Sequence, residues 1–213
     1  HGLPRALGLA TGKMERAESP EAAARVIFGR RGMPNTGEAF EQLLRRDCLI
    51  AQCFGALRAS DAAQDLTVSR LPVVGARDLF TASAVENSPA GRRAGHPVLR
   101  HIEQVDGRGL LWRAVGRALD AALPVPAPIG GDDWVMVPAA RGAYGLRGGQ
   151  SCDRVSYLER ATPTDHLLAP GGVMEQILAK LTDEALVPLA LTILDPCVPL
   201  RVVPLRKERA YHA

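Results

Sequence analysis

Lysine is nearly missing from this chain: of its 26 basic residues only Lys13, Lys180 and Lys207 are lysines. Aromatic side chains are scarce at 4%, and no dense basic block is interleaved with them. A nucleic-acid surface is therefore not expected. With 23 acidic residues the net charge is only +3, so the arginine excess carries no functional weight. Cysteine is sparse as well. Cys48, Cys53, Cys152 and Cys197 are too scattered for a disulfide scaffold, and none forms C-x-x-C, which argues against a closed zinc site. The five histidines, His1, His96, His101, His166 and His212, lack metal-ligand spacing. No long apolar run is present: Val187–Leu194 contains Pro188 and Thr192 and is far shorter than the ~20 residues of a membrane helix. Leu7–Ala10, ending in Thr11-Gly12-Lys13, makes a poor signal peptide. The chain opens at His1, as a truncated or processed copy would. The expected location is the reducing cytoplasm. There is no H-E-x-x-H, Walker loop, G-x-S-x-G or dinucleotide-binding glycine fingerprint.

What is present is ample for a core: 213 residues, 46% of them hydrophobic. Ser19-Pro20-Glu21 predicts a helix start, because the hydroxyl and the acid complement free N–H groups. A second helix is predicted from about Gly37 towards Ser60. Its stripe of Cys48, Ala51, Gln52, Gly55, Ala56 and Ala59 suits a close backbone approach. Asp61–Arg70 reads as another helical turn or two. Ala84–Gly95 is polar and turn-prone, a candidate mobile loop and partner contact. Helices follow around Val98–Val105 and Leu110–Leu123, the second burying Leu111, Val115, Leu119 and Ala122. The prolines of Pro124–Gly131 end it. Trp134–Val137 and Val155–Leu158 read as strands flanking a Gly-rich connection, with Cys152 on a flexible tip. A helix is predicted after Pro170-Gly171-Gly172, and an extended segment at Arg201-Val202-Val203-Pro204. Arg92, Arg93, Arg100, Arg108, Arg113 and Arg117 read as solvated. The pattern is α+β, mainly helical with a small β hairpin or sheet. One domain spans 1–213: a helical half to about 123, a Pro-rich break at 124–131, and a mixed half at 132–213.

Five blocks occur in a telling order. Arg46-Asp47-Cys48 comes first, then Ala139-Ala140-Arg141-Gly142-Ala143-Tyr144-Gly145. Tyr157-Leu158-Glu159-Arg160-Ala161-Thr162-Pro163-Thr164 follows. Pro170-Gly171-Gly172 leads a helix with Glu175 and Leu178, and Thr192-Ile193-Leu194-Asp195-Pro196-Cys197 closes the series. In this order they resemble the conserved blocks of the nickel–iron hydrogenase large subunit, over about a quarter of the chain. The resemblance implies a hydrogenase large-subunit-like fold. The departures matter more. Where the family carries the second cysteine of each pair, this chain has Ala51 and Leu200. Val203 replaces the closing His or Arg, and Leu167 the Asn. Two thiolates cannot build the four-sulfur environment of nickel, so no nickel and no hydrogenase activity are expected.

The same departures resemble the HupK/HoxV-type hydrogenase assembly proteins, shortened relatives of the large subunit. That resemblance implies a non-catalytic scaffold that transiently holds an Fe(CN)2(CO) fragment. Its metal ligands would be Cys48 and Cys197. Arg141 would face one cyanide, Thr164 the other, and the backbone around Ala161 and Thr162 would add an N–H. The implied partners are the cofactor-assembly complex, a HypC-type chaperone and the apo large subunit, with no nucleic acid, and the protein itself is not expected to be membrane-embedded; Arg206-Lys207-Glu208-Arg209 is a candidate contact. Read without the resemblance, Cys48 is a buried hydrophobe, Arg141 a surface arginine, Thr164 a capping hydroxyl, Asp195 a turn residue and His166 a packing residue. A metal-free structural remnant and a thiol enzyme using Cys48, Cys152 or Cys197 are the other classes, the latter disfavoured by the lack of an adjacent base.

Overall fold

Burying this chain's apolar residues takes nine helices and one small sheet among residues 17–203, the part that the computed structural model describes. The signal-peptide stretch, Pro204 and the basic tail at 206–209 lie outside the described residues. Helix α1 runs Pro20–Phe28, and the Ser19 hydroxyl accepts from the Ala22 N–H at 3.1 Å. Gly29, at φ +77°, stops it.

The single long helix expected from Gly37 is two: α2 (Gly37–Leu44) and α3 (Leu49–Gln64). Cys48 is extended, at φ −149° and ψ 154°, and caps α3 without a side-chain bond. The small-residue stripe does not meet a second backbone. Gln52, Gly55 and Ala59 are exposed, and a Cβ on Gly55 would touch nothing within 4 Å. The buried face of α3 carries Ala51, Cys53, Phe54 and Leu57, because the apolar bulk rather than the small residues seeks the core. After the left-handed Asp65 the chain extends instead of continuing as helix, and Val68 bridges Arg108.

Helices α4 (Pro89–Arg92), α5 (Pro97–Val105) and α6 (Leu110–Ala121) complete the first half. Helix α6 packs against α1, α3, α4 and α5, and Leu110, Leu111, Trp112, Val115 and Leu119 are fully buried. Proline then ends the run, and β1 begins at Ile129.

The sheet is an antiparallel meander, β1 (Ile129–Gly130), β2 (Trp134–Ala139), β3 (Gly142–Ser151) and β4 (Arg154–Ala161). The Gly-rich connection expected between two strands is the central strand β3. Its glycines make room for neighbours' bulk, Leu79 and Phe80 over Gly145 and the Tyr157 ring over Gly149. The tip is the two-residue turn Cys152-Asp153, both at positive φ (47° and 62°), as a right-twisted hairpin requires. Helices α7 (Pro163–Leu167), α8 (Val173–Lys180) and α9 (Val187–Leu194) follow. Helix α9 returns to α6, and one apolar cluster extends from Phe28 to Leu194. Residues 201–203 form no regular element. Among the described residues no helix is long and apolar enough to cross a membrane.

Candidate thiol and arginine cleft

Ala84–Gly95, expected to be a mobile loop, is largely buried over residues 85–91 and tied down on both sides. Val85, Glu86 and Asn87 are 2%, 1% and 7% exposed. The Asn87 amide donates to the Ala143 carbonyl at 3.0 Å and accepts the Ala143 N–H at 2.6 Å. It also lies 3.0 Å from His166 Nδ1. Arg92 donates to the carbonyls of Ala139 and Gly142 while pairing with Asp120 at 2.9 Å. These bonds pin both ends of the Ala140-Arg141 turn between β2 and β3. Gly142 sits at φ +148° with Asn87 pressed against it, so a Cβ would meet both strain and a clash.

Arg141 leaves this turn to grip Asp195 with two atoms, Nε at 3.0 Å from Oδ2 and Nη2 at 3.2 Å from Oδ1. Arg117, from α6, approaches Asp195 Oδ2 at 3.5 Å. Asp195 ends α9 in the left-handed conformation, at φ 47°, with its N–H on the Leu191 carbonyl. Two residues on, the Cys197 N–H donates to the Thr164 hydroxyl at 2.9 Å, and that hydroxyl is 2.9 Å from Cys197 Sγ, positioned to donate to it. Thr164 is 4% exposed and Cys197 is exposed. The site thus has a buried hydroxyl holding a surface thiol.

Thr164, Arg141, Arg117, Arg113 and Asp195 line one cleft, walled by Val85, Pro163, Leu167, Val173 and Ile193. The cleft holds a cavity of about 30 Å³, enough for one or two water-sized groups, and opens to solvent past the part-exposed Arg117 and Arg141. Arg113 is fully buried and both Nη atoms reach Glu86 Oε2 at 2.9 Å. Burial pushes its guanidinium below the usual arginine range, Glu86 works against that shift, and the like charge of Arg108 adds to it. Burial likewise lowers Arg117, against the pull of Asp195 and with the repulsion of Arg141.

The residues expected to act together divide. Arg141, Thr164 and Cys197 converge through Asp195 and the thiol–hydroxyl contact. Cys48 is half-buried against the core and is not among the residues lining this cleft. Ala161 and Thr162 are buried. The Thr162 N–H is occupied by Asp165 Oδ2 at 2.7 Å, within a capping box that starts α7. Asp195 is a helix-ending turn residue as well as an ion-pair partner, and Cys53 is buried at 1%. His166 is packed at 1% exposure. The arginines read as solvated are corrected in part. Arg108 and Arg113 are buried, Arg92 and Arg93 share Asp120, and Arg100 alone of the set is exposed. Arg117, Glu86 and Asn87 were missed. One signal was available: Arg113 and Arg117 stand four apart on a helix that is apolar elsewhere apart from Asp120, so they share a face with little room for solvent. Among the described residues no three His, Cys, Asp or Glu side chains cluster as a metal site.

Fold and cleft together define an α+β protein with an arginine-lined pocket beside one surface thiol. The chain is 44% identical over 131 residues to the hydrogenase expression/formation protein HupK of Rhodobacter capsulatus, a match covering 59% of this chain and 45% of that protein. The resemblance to HupK-type assembly proteins is borne out. No family model and no solved structure matches the chain.

Proposed function

We propose that this protein is a non-catalytic factor in hydrogenase maturation, holding an Fe(CN)2(CO) fragment before its transfer to the apo large subunit. The observation that carries the reading is the Thr164–Cys197 clamp beside a cleft of three arginines. The Thr164 hydroxyl and the Cys197 N–H bond it accepts fix where the sulfur points, as a metal anchor requires. Cys197 is the anchor. Cys48, which lies against the core and outside the residues lining the cleft, is the second thiolate that this reading calls for. Two thiolates and two cyanides on Fe(II) sum to −4 + 2 = −2, a charge that cationic walls compensate. The cavity is too small for the whole fragment and suits a diatomic arm, so the iron sits outside, at the exposed thiol. Thr162 is left to capping. Two thiolates cannot supply the four-sulfur coordination of nickel, so the cargo is iron alone. Two anchors also hold less firmly than a client's four, which favours release. The partners in this reading are the cofactor-assembly complex, a HypC-type chaperone and the apo large subunit, met in the cytoplasm where exposed thiols stay reduced.

Anaerobic purification from maturation-competent cells, followed by infrared spectroscopy, tests the proposal. Cyanide and carbonyl stretching bands should accompany the protein and disappear in Cys197→Ala. Their absence from the unsubstituted protein sinks the cargo reading and leaves a metal-free interaction protein, whose partner binding Cys48→Ala and Cys197→Ala would not change.

A further inference from the structure

Residues 71–74 form an extended segment that is bonded along one edge only. The Glu86 N–H donates to the Pro72 carbonyl at 2.8 Å and the Val74 N–H to the Glu86 carbonyl at 3.2 Å, so Val73 and Glu86 make a parallel bridge. In such a bridge the N–H and carbonyl of Val73 turn to the opposite edge. Among the described residues neither makes a backbone hydrogen bond there, and Val73 is 42% exposed. Arg108 holds the start of the segment, donating to the Leu71 carbonyl at 3.3 Å. The two flanks of Val73 differ in chemistry. On one lies a hollow of about 190 Å³ walled by Val73, Val74, Pro126, Ile129, Met136 and Pro138. Its polar neighbours are already engaged, Asn87 with Ala143, Ser88 with Glu86 and Arg92 with Asp120. The other flank is a shelf with Arg70, Arg100 and Arg108 around Glu103, a balance of 3 − 1 = +2. Buried Arg108 holds Glu103 at 3.2 Å, and the Arg70 side chain, 79% exposed, reaches it at 3.4 Å. Exposed Arg100 pairs with no acid among the described residues.

We propose that Val73 is the docking edge for an extended segment of a partner protein, one that is acidic and carries a large apolar side chain. The segment adds as a strand beside residues 71–74. Its backbone takes the free N–H and carbonyl of Val73, and its alternate side chains reach opposite flanks. The apolar one enters the hollow, where the polar groups already have partners, and a carboxylate settles on the shelf beside Arg70 and Arg100. Charge decides against the other occupants. Residues 1–16 carry Arg5, Lys13 and Arg16 against Glu15, and residues 204–213 carry Arg206, Lys207 and Arg209 against Glu208, so the shelf repels both. A second copy offers adjacent acids only at Asp132-Asp133 and Asp183-Glu184. The first pair sits in a turn closed by the Gly131 N–H on the Trp134 carbonyl at 2.9 Å, and the second starts a short 3-10 helix. Neither is free to lie extended. Cys197, Arg113, Arg117 and Arg141 line neither flank, so the inference stands with or without an iron cargo.

The test selects peptides from a phage-displayed random library against the full chain, then measures the enriched ones as fluorescein conjugates by anisotropy. Enriched sequences should share one large apolar residue flanked by acids. Affinity should fall about tenfold or more when Arg70→Glu and Arg100→Glu are combined, and should weaken as salt is raised. Ile129→Asp, at the exposed rim of the hollow, should remove the preference for the apolar residue. All three substitutions are at exposed positions. Amide hydrogen exchange supplies the readout that loose electrostatic attraction would not move: bound peptide should protect the Val73 N–H. The inference is overturned if no peptide is enriched, if the enriched peptides are not acidic, or if charge reversal leaves affinity unchanged. An unprotected Val73 amide in the complex overturns it too. Self-association of the chain that the same substitutions abolish would give the edge to a second copy instead.

Discussion

Asp61 offers the sharpest check on how the arginine-bearing helix is held. It is 3% exposed, and its two oxygens accept the N–H groups of Leu110 and Leu111 at 2.9 and 2.7 Å. The side chain from the end of α3 therefore caps the start of α6, the helix carrying Arg113 and Arg117. Desolvation raises its pKa to about 6, against the lowering effects of the two N–H groups and Arg113 and with help from Asp106. In the unfolded chain the same carboxyl titrates near 3.8. Between these values the folded state holds a proton that the unfolded state has released. Stability is therefore full below about pH 4 and is lost as pH rises towards 6. Two pKa units correspond to about 3 kcal/mol. At 213 residues that is a melting shift of roughly 6–12 °C. Asp61→Asn keeps one acceptor and does not titrate. Its stability relative to the unsubstituted protein should rise by that amount between pH 4 and pH 7. Asp61→Ala orphans two buried donors and should cost about 2–6 kcal/mol throughout. Thermal or urea unfolding at half-unit pH steps measures both. A stability difference to Asp61→Asn that stays flat across pH 4–7 would refute the reasoning. Gly109 gives an independent probe: a Cβ there would run into the Asp61 carboxylate, so Gly109→Ala should mimic loss of the cap.

Three further outcomes follow from the geometry. Glu86→Ala strands fully buried Arg113 and should destabilise by about 3–5 kcal/mol in urea unfolding, as one-sided removal of a buried pair does; Glu86→Gln should cost less. Glu41 is held near pKa 2, chiefly by hydrogen bonds from Arg58 with desolvation opposing and His101 assisting. Its contribution is present above about pH 4.5 and lost as pH falls towards 2, so Glu41→Gln should flatten the acid limb of a stability profile. Under native conditions a thiol reagent followed by mass spectrometry should label exposed Cys152 and Cys197. Buried Cys53, whose thiol pKa burial raises, should react only on unfolding.

Local chemistry was the legible part of the fold. Ser19-Pro20 starts a helix because a hydroxyl and a missing N–H suit that position wherever it occurs, and three prolines end α6 for an equally local reason. Part of the site was legible in the same way: Arg141, Thr164 and Cys197, read from ordered blocks, do come to one place. The failures involve partners distant in sequence. Arg113 finds Glu86 27 residues away and Arg92 finds Asp120 28 residues away. An arginine looks solvated until its acid is identified. Strand β3 was hidden for a different reason, since its glycines matter for the side chains that cross them, Leu79 and Tyr157, and neither is adjacent in sequence.

The segment 84–95 shows why such misreadings gather at the candidate site. Its polar letters describe a loop if water satisfies them and a clamp if the protein does. A buried polar network is tolerable only when nearly every group is paired, because each orphan costs about 1–3 kcal/mol. Here Glu86, Asn87 and Arg92 meet that condition with β3, α6 and Asp120. The unpaired atoms that remain include Nε of Arg113 and Nε2 of His166, both on residues bonded directly to that segment. An all-apolar packing would hold α4 against α6 at least as firmly. It would not fix the rotation of the Ala140-Arg141 turn, which depends on Asn87 reading both the N–H and the carbonyl of Ala143. The polar segment is thus best understood as directional: it sets where Arg141 points and so which oxygens of Asp195 it takes.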